Sequence, residues 1–486
     1  MYISRVKPGL VETSRLDPDY YNPIYLEDVV KLKDFGCIKL STVGKFFTGP
    51  FGSKLPSNLY IDEGIPLFRV GNVGQMEVRK ENLAYLDKRV HEELKASEVR
   101  SGDVLIVKAS VGEKICKLPD SIPKANITQH IIGLRSNGRF DMDYVCSFLF
   151  SSYGTKQLIR RSLGSIIQYL GVVDARTVLI PELKNDAQKY IGNKVRQAET
   201  LRAWAMKCRA SANMDFRRIC SFELVENLKE KPRKIVHELI SPVSLGPEFN
   251  RAGEGQTKFP DSYTLKEIID DCKCGDPIKS SDRVKGIYPY YGASGPIDIH
   301  NEFNFDGEYI IVAQDGSIGF SSVARGRFWA NNHVWILSLK GEYDADVVAY
   351  YLENYYPYWK GMTTGSVIPK VTSGNLLTIK IPKKLLSIPK LGELLRESIK
   401  SIELSSRLTN AAKQLVEALI ENKLTEQELI NAQQALERGD NTLDRQILSR
   451  LTTKGIDDED GAPLFTDLDQ LYDLLNQAEK SQEVTS

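Results

Sequence analysis

The sequence lacks the features of a secreted or membrane-bound protein. None of its 486 residues belong to a run of about 18 apolar residues, the length needed to cross a bilayer. The first residues, MYISRVKPGLVETSR, contain no apolar core of a signal peptide. Seven scattered cysteines, an odd number, are typical of reduced thiols in a cytoplasm. Cys272 and Cys274 form a single CxC without the second ligand pair of a structural zinc site, so we expect a cytoplasmic protein without a metal.

Catalytic motifs are also missing. The chain contains neither a GxxxxGK[ST] phosphate loop nor a GxGxxG dinucleotide motif. The sequence NPIY at 22–25 lacks the second proline of a DNA amino-methyltransferase motif, and no glycine-rich cofactor strand precedes it. PD at 260–261 followed by DCK at 271–273 fits a loose nuclease pattern that is common by chance. His130 and His333 have no nearby acid and nucleophile to orient. We therefore expect no catalytic residue and no cofactor bound by this chain.

The formal net charge of zero hides an asymmetry along the chain. From Glu421 to Ser486 there are 15 acidic and 6 basic residues, a net of −9, so residues 1–420 carry +9. A basic body suits a polyanionic partner, which an acidic tail would not contact. A solvated surface with a solubilising tail explains the same charges equally well, so charge alone leaves both interpretations open.

An internal repeat decides the predicted architecture. Gly164–Pro181 (GSIIQYLGVVDARTVLIP) and Gly365–Pro382 (GSVIPKVTSGNLLTIKIP) share six identical residues at an offset of 201. ANITQHIIGL (125–134) and ANNHVWIL (330–337) are a second matching pair, which places His130 and His333 at equivalent positions. Self-similarity of this kind predicts two copies of one structural unit.

Long segments with helical periodicity follow each copy. Apolar residues recur at steps of three and four over 184–222, and at heptad-like spacing over 389–423. A seam of this kind must pack on another helix, and each long helix is the obvious partner of the other. Thr425 with Glu428 forms a capping box that begins a further helix.

Shorter segments are less regular. Residues 38–181 read as short strands and turns, interrupted by one helix from Met142 to about Ser162. Beyond Gly439 the chain is acidic and is predicted to be loop-rich, with one short helix at 468–475. The predicted fold class is α+β, with two similar globular domains, each followed by a long helix. The predicted domains are 1–183 (first domain), 184–224 (first long helix), 225–262 (linker and start of the second repeat), 263–388 (second domain), 389–437 (second long helix and C-terminal helix) and 438–486 (acidic extension).

Polar loops at matching positions of both copies are the candidate binding surface. Lys and Arg neutralise phosphates, glycines let backbone amides approach them, and Asn, Gln and Arg can pair with base edges. Any single glycine-rich loop can also be a simple turn, and that interpretation stays open. The candidate DNA-binding residues of the first copy are Lys45, Ser53, Lys54, Asn72, Gln75, Lys108, Ser110, Gln129, His130, Arg160, Arg161, Ser165 and Gln168. Those of the second copy are Lys279, Arg283, Tyr290, Tyr291, Ser294, Gln314, Asp315, Ser317, Asn331, Asn332, His333, Lys360, Thr364, Ser366 and Lys370.

Several motifs occur in a specific order. They are RLDPDYYNP (15–23), FGSKL (51–55), YPYYGASG (288–295), NNHVWIL (331–337), ALIENKLTEQEL (418–429) and the repeated GSxI…IP segment before a long helix. In these motifs, residues 12 to about 440 resemble the specificity subunit of a type I restriction–modification system. The acidic extension after residue 440 departs from that pattern.

The resemblance implies a non-catalytic subunit that recognises DNA. Each of two target-recognition domains would read one half of a bipartite, asymmetric site, and the long helices would pack as an antiparallel coiled-coil spacer. The implied partners are double-stranded DNA, two methyltransferase subunits that carry S-adenosylmethionine, and restriction–translocase subunits that use ATP and Mg. The implied location is a bacterial or archaeal cytoplasm.

Two alternatives remain open from the sequence. The chain could be the specificity component of another phage-defence methylation system. It could also be a two-domain adaptor for carbohydrate or peptide, because aromatic clusters such as YPYY (288–291) and NYYPYW (354–359) can stack on sugars. The basic body and the missing signal peptide favour DNA.

Overall fold

The long helices α6 (Asn185–Cys220) and α11 (Pro389–Ile420) are each shared between two units of the fold. Unit 1 comprises Met1–Ala203 and Ser401–Ser486, and unit 2 comprises Trp204–Lys400. The computed structural model describes residues 11, 15 and 17–483, except 51, 110, 113, 165–167, 221–260, 355–361 and 365–368. The predicted linker at 225–262 and the aromatic cluster NYYPYW therefore lie almost entirely outside the described residues.

Unit 1 contains two four-stranded sheets with helices packed beside them. Its remaining helices are α1 (Pro23–Phe35), α2 (Lys88–Glu93), α3 (Met142–Phe150), α4 (Ser152–Arg161), α5 (Val172–Ala175), α12 (Glu426–Glu437), α13 (Thr442–Ser449) and α14 (Leu468–Glu483). Its strands are β1 (Cys37–Lys39), β2 (Gly44–Thr48), β3 (Ile65–Phe68), β4 (Ala84–Leu86), β5 (Glu98–Arg100), β6 (Val104–Val107), β7 (Ile115–Lys117), β8 (Lys124–Ile127), β9 (Ile131–Ser136) and β10 (Leu179–Pro181). The strand orders are β2-β9-β6-β7 and β4-β3-β8-β5, and β1 pairs with β10.

Unit 2 is built around one six-stranded sheet of order β12-β17-β15-β16-β13-β14. Its strands are β11 (Ser262–Thr264), β12 (Ile269–Cys274), β13 (Tyr288–Gly292), β14 (Gly295–His300), β15 (Phe305–Ala313), β16 (Ser321–Ala330), β17 (Val334–Leu339), β18 (Thr363–Thr364), β19 (Lys370–Val371) and β20 (Lys380–Pro382). Its short helices are α7 (Leu265–Ile268), α8 (Ala345–Asn354), α9 (Ser373–Leu377) and α10 (Lys383–Leu386).

The internal repeat is confirmed by the topology of the two units. The strand order β2-β9-β6-β7 in unit 1 recurs as β12-β17-β15-β16 in unit 2. A short antiparallel pair closes each domain, β1 with β10 and β11 with β20, and Pro181 and Pro382 hold the same register position in the two pairs. The two units also share a hydrogen bond next to this pair. Leu40 follows β1 and Leu265 follows β11, and the backbone N–H of each donates at 2.7 Å to the segment that precedes the second strand of its pair.

A cluster of charged residues joins the first domain to α6. The Asp141 carboxylate caps α3 by accepting from the N–H groups of Asp143 and Tyr144. Arg196 then donates to Asp141 Oδ2 at 3.0 Å and to Asp143 Oδ2 at 2.7 Å. Gly192 lies one turn earlier on α6, and a Cβ added there would lie 2.6 Å from Asp141 Oδ1. The glycine therefore lets the helix approach the cap.

The same cluster recurs in unit 2. The Asp344 carboxylate accepts from the N–H of Asp346, and Arg396 on α11 pairs with Asp344 Oδ2 at 2.7 Å and with Asp346 Oδ2 at 2.9 Å. Gly392 lies one turn before Arg396, with the Asp344 carboxylate directly over the place a Cβ would take. The pattern DxD with GxxxR is thus the joint between domain and helix in both copies.

We expect Gly392→Ala to destabilise unit 2 by about 1–3 kcal/mol, because its methyl group would push the Asp344 carboxylate away from both the helix cap and Arg396. Thermal and denaturant unfolding of the full chain measure the effect. Gly341→Ala is the matched control, since a Cβ there meets no atom within 4 Å. If the two variants unfold alike, the close approach at Gly392 does not matter.

The predicted pairing of the long helices is confirmed. In unit 1 the N-terminal half of α6 packs with the C-terminal half of α11, and in unit 2 the C-terminal half of α6 packs with the N-terminal half of α11, so the pair is antiparallel. Nine of the ten seam residues of α6 predicted from the sequence are buried, and Ile219 is half-buried; the nine are Tyr190, Ile191, Val195, Ala198, Leu201, Ala205, Cys208, Ala212 and Phe216. Polar contacts support the pairing, because Ser398 donates to the Ala205 carbonyl at 3.0 Å and Arg202 donates to Thr409 at 2.9 Å.

The acidic extension contains more helix than predicted, because the helix predicted at 468–475 is confirmed but continues to Glu483, and α13 is an additional helix. It contains α13 and the 16-residue α14, and their apolar faces join the core formed by α6, α11 and the first domain.

A buried ion pair lies between α6 and α13. Lys194 donates to the Asp444 carboxylate at 2.6 and 2.8 Å, and both side chains are completely buried. Tyr190 and Tyr472 also donate to that carboxylate. Burial alone would raise the pKa of Asp444, but Lys194 and these hydrogen bonds hold it below the ordinary value.

Two further predictions need correction. The single helix predicted over 142–162 is two helices, because Ser151 is extended (φ −64°, ψ 164°) and its hydroxyl accepts from the N–H of Gly154 to cap α4. Residues 1–37, with RLDPDYYNPIYLEDV, have an aromatic, turn-forming sequence that predicts no helix, but residues 23–35 form α1, which the side chain of Asn22 caps. The capping box of Thr425 and Glu428 is confirmed at the start of α12.

Candidate nucleic-acid interface

A cleft of about 940 Å³ in unit 1 contains several of the predicted site residues. Gln129 and His130 lie on its wall, together with Tyr60 and Arg69. The Arg69 guanidinium lies 6.0 Å from the centre of the Tyr60 ring and donates to the Asn82 carbonyl. The remaining lining residues are Pro50, Gly52, Leu55, Val70, Gly71, Asn72, Glu77, Arg79, Glu81, Asn82 and Thr128.

His130 is held by a chain of backbone hydrogen bonds at the turn between β8 and β9. Its carbonyl accepts from the N–H of Lys108 at 2.8 Å, and the Lys108 carbonyl accepts from the N–H of Leu170 at 2.9 Å. The Gln129 side chain is fixed as well, because Gly52 N–H donates to its Oε1 at 3.0 Å and its Nε2 lies 3.1 Å from His130 Nε2. The His130 ring is exposed.

His333 has the same backbone environment in unit 2. Its carbonyl accepts from the N–H of Gln314 at 2.8 Å, and the Gln314 carbonyl accepts from the N–H of Val371 at 2.8 Å. Lys108 and Gln314 therefore correspond, as do Leu170 and Val371. The predicted equivalence of His130 and His333 is confirmed.

Asp315 organises the side chains around His333. Its largely buried carboxylate lies 2.8 Å from His333 Nδ1 through Oδ1 and 3.2 Å from Lys370 Nζ through Oδ2. Asn331 is buried and accepts from the N–H of His333, whereas Asn332 is exposed. One carboxylate thus positions an imidazole and an ammonium group at an edge that also carries an exposed amide.

Four predicted contacts are used by the fold itself. Asn72 is 2% exposed, and its amide bonds to backbone groups within its own loop, between residues 69 and 81. Arg160 is buried against the ring of Tyr20, whose carbonyl accepts from its Nε at 2.7 Å. Arg161 donates to the Thr177 hydroxyl at 2.7 Å. Lys108 is also buried, its Nζ lying over the Tyr169 ring, and burial lowers its pKa. These side chains shape the loops instead of presenting polar groups to a ligand.

The aromatic motif YPYY lies in the sheet of unit 2. Tyr290 is buried beneath Arg283, whose guanidinium is 4.9 Å from the ring and pairs with Asp298 at 3.1 Å. Tyr291 meets Phe328 edge to face at 5.3 Å, and burial raises its pKa. Tyr290 and Tyr291 therefore contribute to packing within the sheet.

The remaining candidates are mostly exposed. Exposed side chains are those of Lys45, Ser53, Lys54, Gln75, Gln168, Lys279, Ser294, Ser317, Asn332, Thr364 and Lys370, and Gln314 is half-buried. Ser110, Ser165, Lys360 and Ser366 lie outside the described residues. The role of all these residues in binding DNA stays a prediction.

Most residues of the cleft are not among the candidates predicted from the sequence, and they include Tyr60, Arg69 and Arg79. Arg69 begins the polar segment RVGNVGQ (69–75), which also contains the candidates Asn72 and Gln75, so its basic side chain was a signal for this site. Among the described residues, no group of three or more His, Cys, Asp or Glu side chains is placed to hold a metal ion. In that same part of the chain, no helix is long and apolar enough to cross a membrane.

Comparison with known proteins finds similarity in the second domain. Residues 261–393 match the model of the type I restriction modification DNA specificity domain. The chain is also 36% identical over 118 residues to the Haemophilus influenzae protein named as type I restriction enzyme specificity subunit S.HindORF215P. That match spans 23% of this chain and 30% of the relative's length.

Two solved structures are similar over most of their length. The type-I restriction-modification system S subunit from M. genitalium is 17% identical, with a TM-score of 0.42, over 82% of this chain and 95% of that one. The HsdS subunit from Thermoanaerobacter tengcongensis is 14% identical, with a TM-score of 0.25, over 82% and 95% of the two chains. At these scores the structural similarity supports no separate conclusion.

Proposed function

Because residues 261–393 match the model of the type I restriction modification DNA specificity domain, we propose that the whole chain is the DNA-recognition subunit of a type I restriction–modification complex. In this proposal the chain catalyses nothing and reads a bipartite, asymmetric DNA site, one half with each domain. Two methyltransferase subunits supply S-adenosylmethionine, restriction–translocase subunits use ATP and Mg, and the complex works in the cytoplasm of a bacterium or archaeon.

One observation supports applying this proposal to the whole chain and not to the second domain alone. His130 and His333 occupy the same backbone position in two domains with the same core strand order, and exposed polar side chains surround both. A duplicated reading surface on one chain suits a site with two separate halves. Exposed lysines such as Lys45, Lys54 and Lys279 supply the charge that phosphates need, and exposed amides such as Asn332 can pair with base edges.

The carbohydrate- or peptide-binding alternative depended on two aromatic clusters with rings free to stack. In YPYY, the rings of Tyr290 and Tyr291 pack within unit 2, which weakens that support. The cluster NYYPYW lies almost entirely outside the described residues and does not test the alternative. A specificity component of another phage-defence methylation system would bind DNA in the same way. A neighbouring gene for a translocase–nuclease favours the type I complex, and its absence favours the other system.

Salt-dependent DNA binding tests the proposed function. The full chain, assembled with the methyltransferase subunit of its own host, is titrated with duplex DNA over a range of salt concentrations. With six to ten phosphate contacts, affinity should fall roughly 10³- to 10⁵-fold between about 50 and 200 mM salt. The methyltransferase subunit alone is the control. Binding that is absent or independent of salt would contradict the proposal.

Two substitutions in unit 2 should separate charge from base reading. We expect Lys370→Ala to weaken binding to specific and random DNA alike, because an ammonium group acts as a point charge toward phosphate. Asn332→Ala should weaken the preference for one base at one base pair of the site, because an exposed amide can pair bidentately with adenine. The expected loss of discrimination against other bases is roughly 1–3 kcal/mol. The two affinities are measured on a specific and a random duplex. Equal losses on both duplexes for both variants would show that Asn332 does not read a base.

A further inference from the structure

The proton of His130 is placed by its neighbour Gln129. Gly52 N–H donates to Gln129 Oε1, and this contact fixes which end of the amide is oxygen. The other end is an NH₂ group, which can only donate, and it faces His130 Nε2 at 3.1 Å. Nε2 must therefore accept, so the neutral ring carries its proton on Nδ1.

His333 also carries its proton on Nδ1, but the nitrogen left for a ligand differs between the two rings. The Asp315 carboxylate only accepts, and it lies 2.8 Å from His333 Nδ1. Nδ1–H is therefore used inside the protein, which leaves Nε2 as the outward acceptor of the neutral ring. In unit 1 the protein uses Nε2, which leaves Nδ1–H as the outward donor.

From this geometry, and resting on the proposed function, we propose that the two equivalent histidines read opposite features of base edges in the two half-sites. His130 donates from Nδ1 to a base acceptor, such as guanine O6 or thymine O4. His333 accepts at Nε2 from a base amino group, adenine N6 or cytosine N4. The histidine and its backbone support are the same in both domains, so the neighbouring side chain sets the preference.

Asp315→Asn should reverse the preference of His333. Lys370 lies 3.2 Å from Asp315 Oδ2, so it attracts the amide oxygen of the new asparagine and turns the NH₂ group toward His333 Nδ1. Nδ1 must then accept and Nε2 carries the proton. At one base pair of one half-site, the preferred base should change from one with an amino group to one with a carbonyl group, by roughly tenfold in relative affinity.

Gln129→Glu is the matched variant in unit 1, with the opposite change. A carboxylate there accepts both from Gly52 N–H and from His130 Nε2, so the proton moves to Nε2 and Nδ1 becomes the acceptor. The preferred base should change from carbonyl-bearing to amino-bearing, in the other half-site. Relative preferences are compared instead of absolute affinities, because the added negative charge weakens all DNA binding.

The assay selects bound duplexes from a randomised library, using the complex with the methyltransferase subunit at mildly alkaline pH. Lys370→Ala, which leaves Asp315 on His333, should keep the wild-type preference. Where Asp315→Asn lowers the unfolding temperature, Gln129→Glu carries the test by itself, since it lies in the other unit. If folded variants bind DNA with unchanged preference in both halves, the inference is wrong and the proposed function stands. If the wild-type complex selects no sequence, the proposed function itself is wrong.

Discussion

Asp444→Ala is expected to lower the free energy of unfolding of unit 1 by about 3–5 kcal/mol, because it leaves the fully buried Lys194 ammonium without its counter-charge. Tyr190 and Tyr472 lose their acceptor at the same time. Denaturant unfolding of the full chain, followed by fluorescence, measures the loss. Because the pKa of Asp444 is held below its ordinary value, this stabilisation is present at neutral pH and is lost as the pH falls through the folded-state pKa.

Two controls separate the buried pair from the extension as a whole. The double variant Lys194→Met with Asp444→Leu removes both charges, so it should recover the loss caused by the unpaired ammonium. Because the Tyr190 and Tyr472 hydroxyls still lose their acceptor, it should unfold between Asp444→Ala and the wild type. Asp473→Ala, on the exposed face of α14, should change stability by no more than about 0.5 kcal/mol. If Asp444→Ala unfolds like Asp473→Ala, α13 does not anchor the extension to α6.

The long helices could be predicted because their signal is local and long. Apolar residues at helical spacing over more than thirty positions are compatible only with a long helix. The repeated segment ends at Pro181 and at Pro382, and a long helix begins a few residues after each, as predicted. Short-range breaks are harder to predict, because Ser151 is an acceptable helix residue by composition. Only its extended backbone and its hydroxyl bond to the Gly154 N–H show that α3 ends there.

The packing of the acidic extension could not be predicted in the same way. Its charge indicated a solvated tail, and one of those carboxylates, Asp444, is buried against Lys194, which lies 250 residues away in the sequence. No local pattern distinguishes that aspartate from its exposed neighbours. The apolar spacing of 468–475 did indicate a helix, but not the surface on which it packs.

The candidate site was predicted in part. His130 and His333 could be predicted as a pair, because they occupy equivalent backbone positions and the sequences around them match in the two repeats. Residue type alone did not separate ligand contacts from structural ones. Arg160 and Asn72 are of residue types that can bind DNA, but in this fold both side chains make internal hydrogen bonds.

The most direct test of the central claim is to exchange one domain. Residues 37–181 begin and end with the strand pair β1 and β10, so the exchanged piece keeps its own closure. The donor should be a known specificity subunit whose domain carries the DxD pattern, so that Arg196 can still bind the cap formed here by Asp141 and Asp143. Thermal unfolding confirms that the hybrid is folded before it is used.

Methylation sites are then mapped across the genome of a host that carries the hybrid with its methyltransferase gene. If each domain reads its own half of the site, one half-site should take the donor's sequence and the other should remain that of the wild-type complex. A hybrid that is folded and active but changes both halves, or neither, would contradict the claim that the two domains read DNA separately.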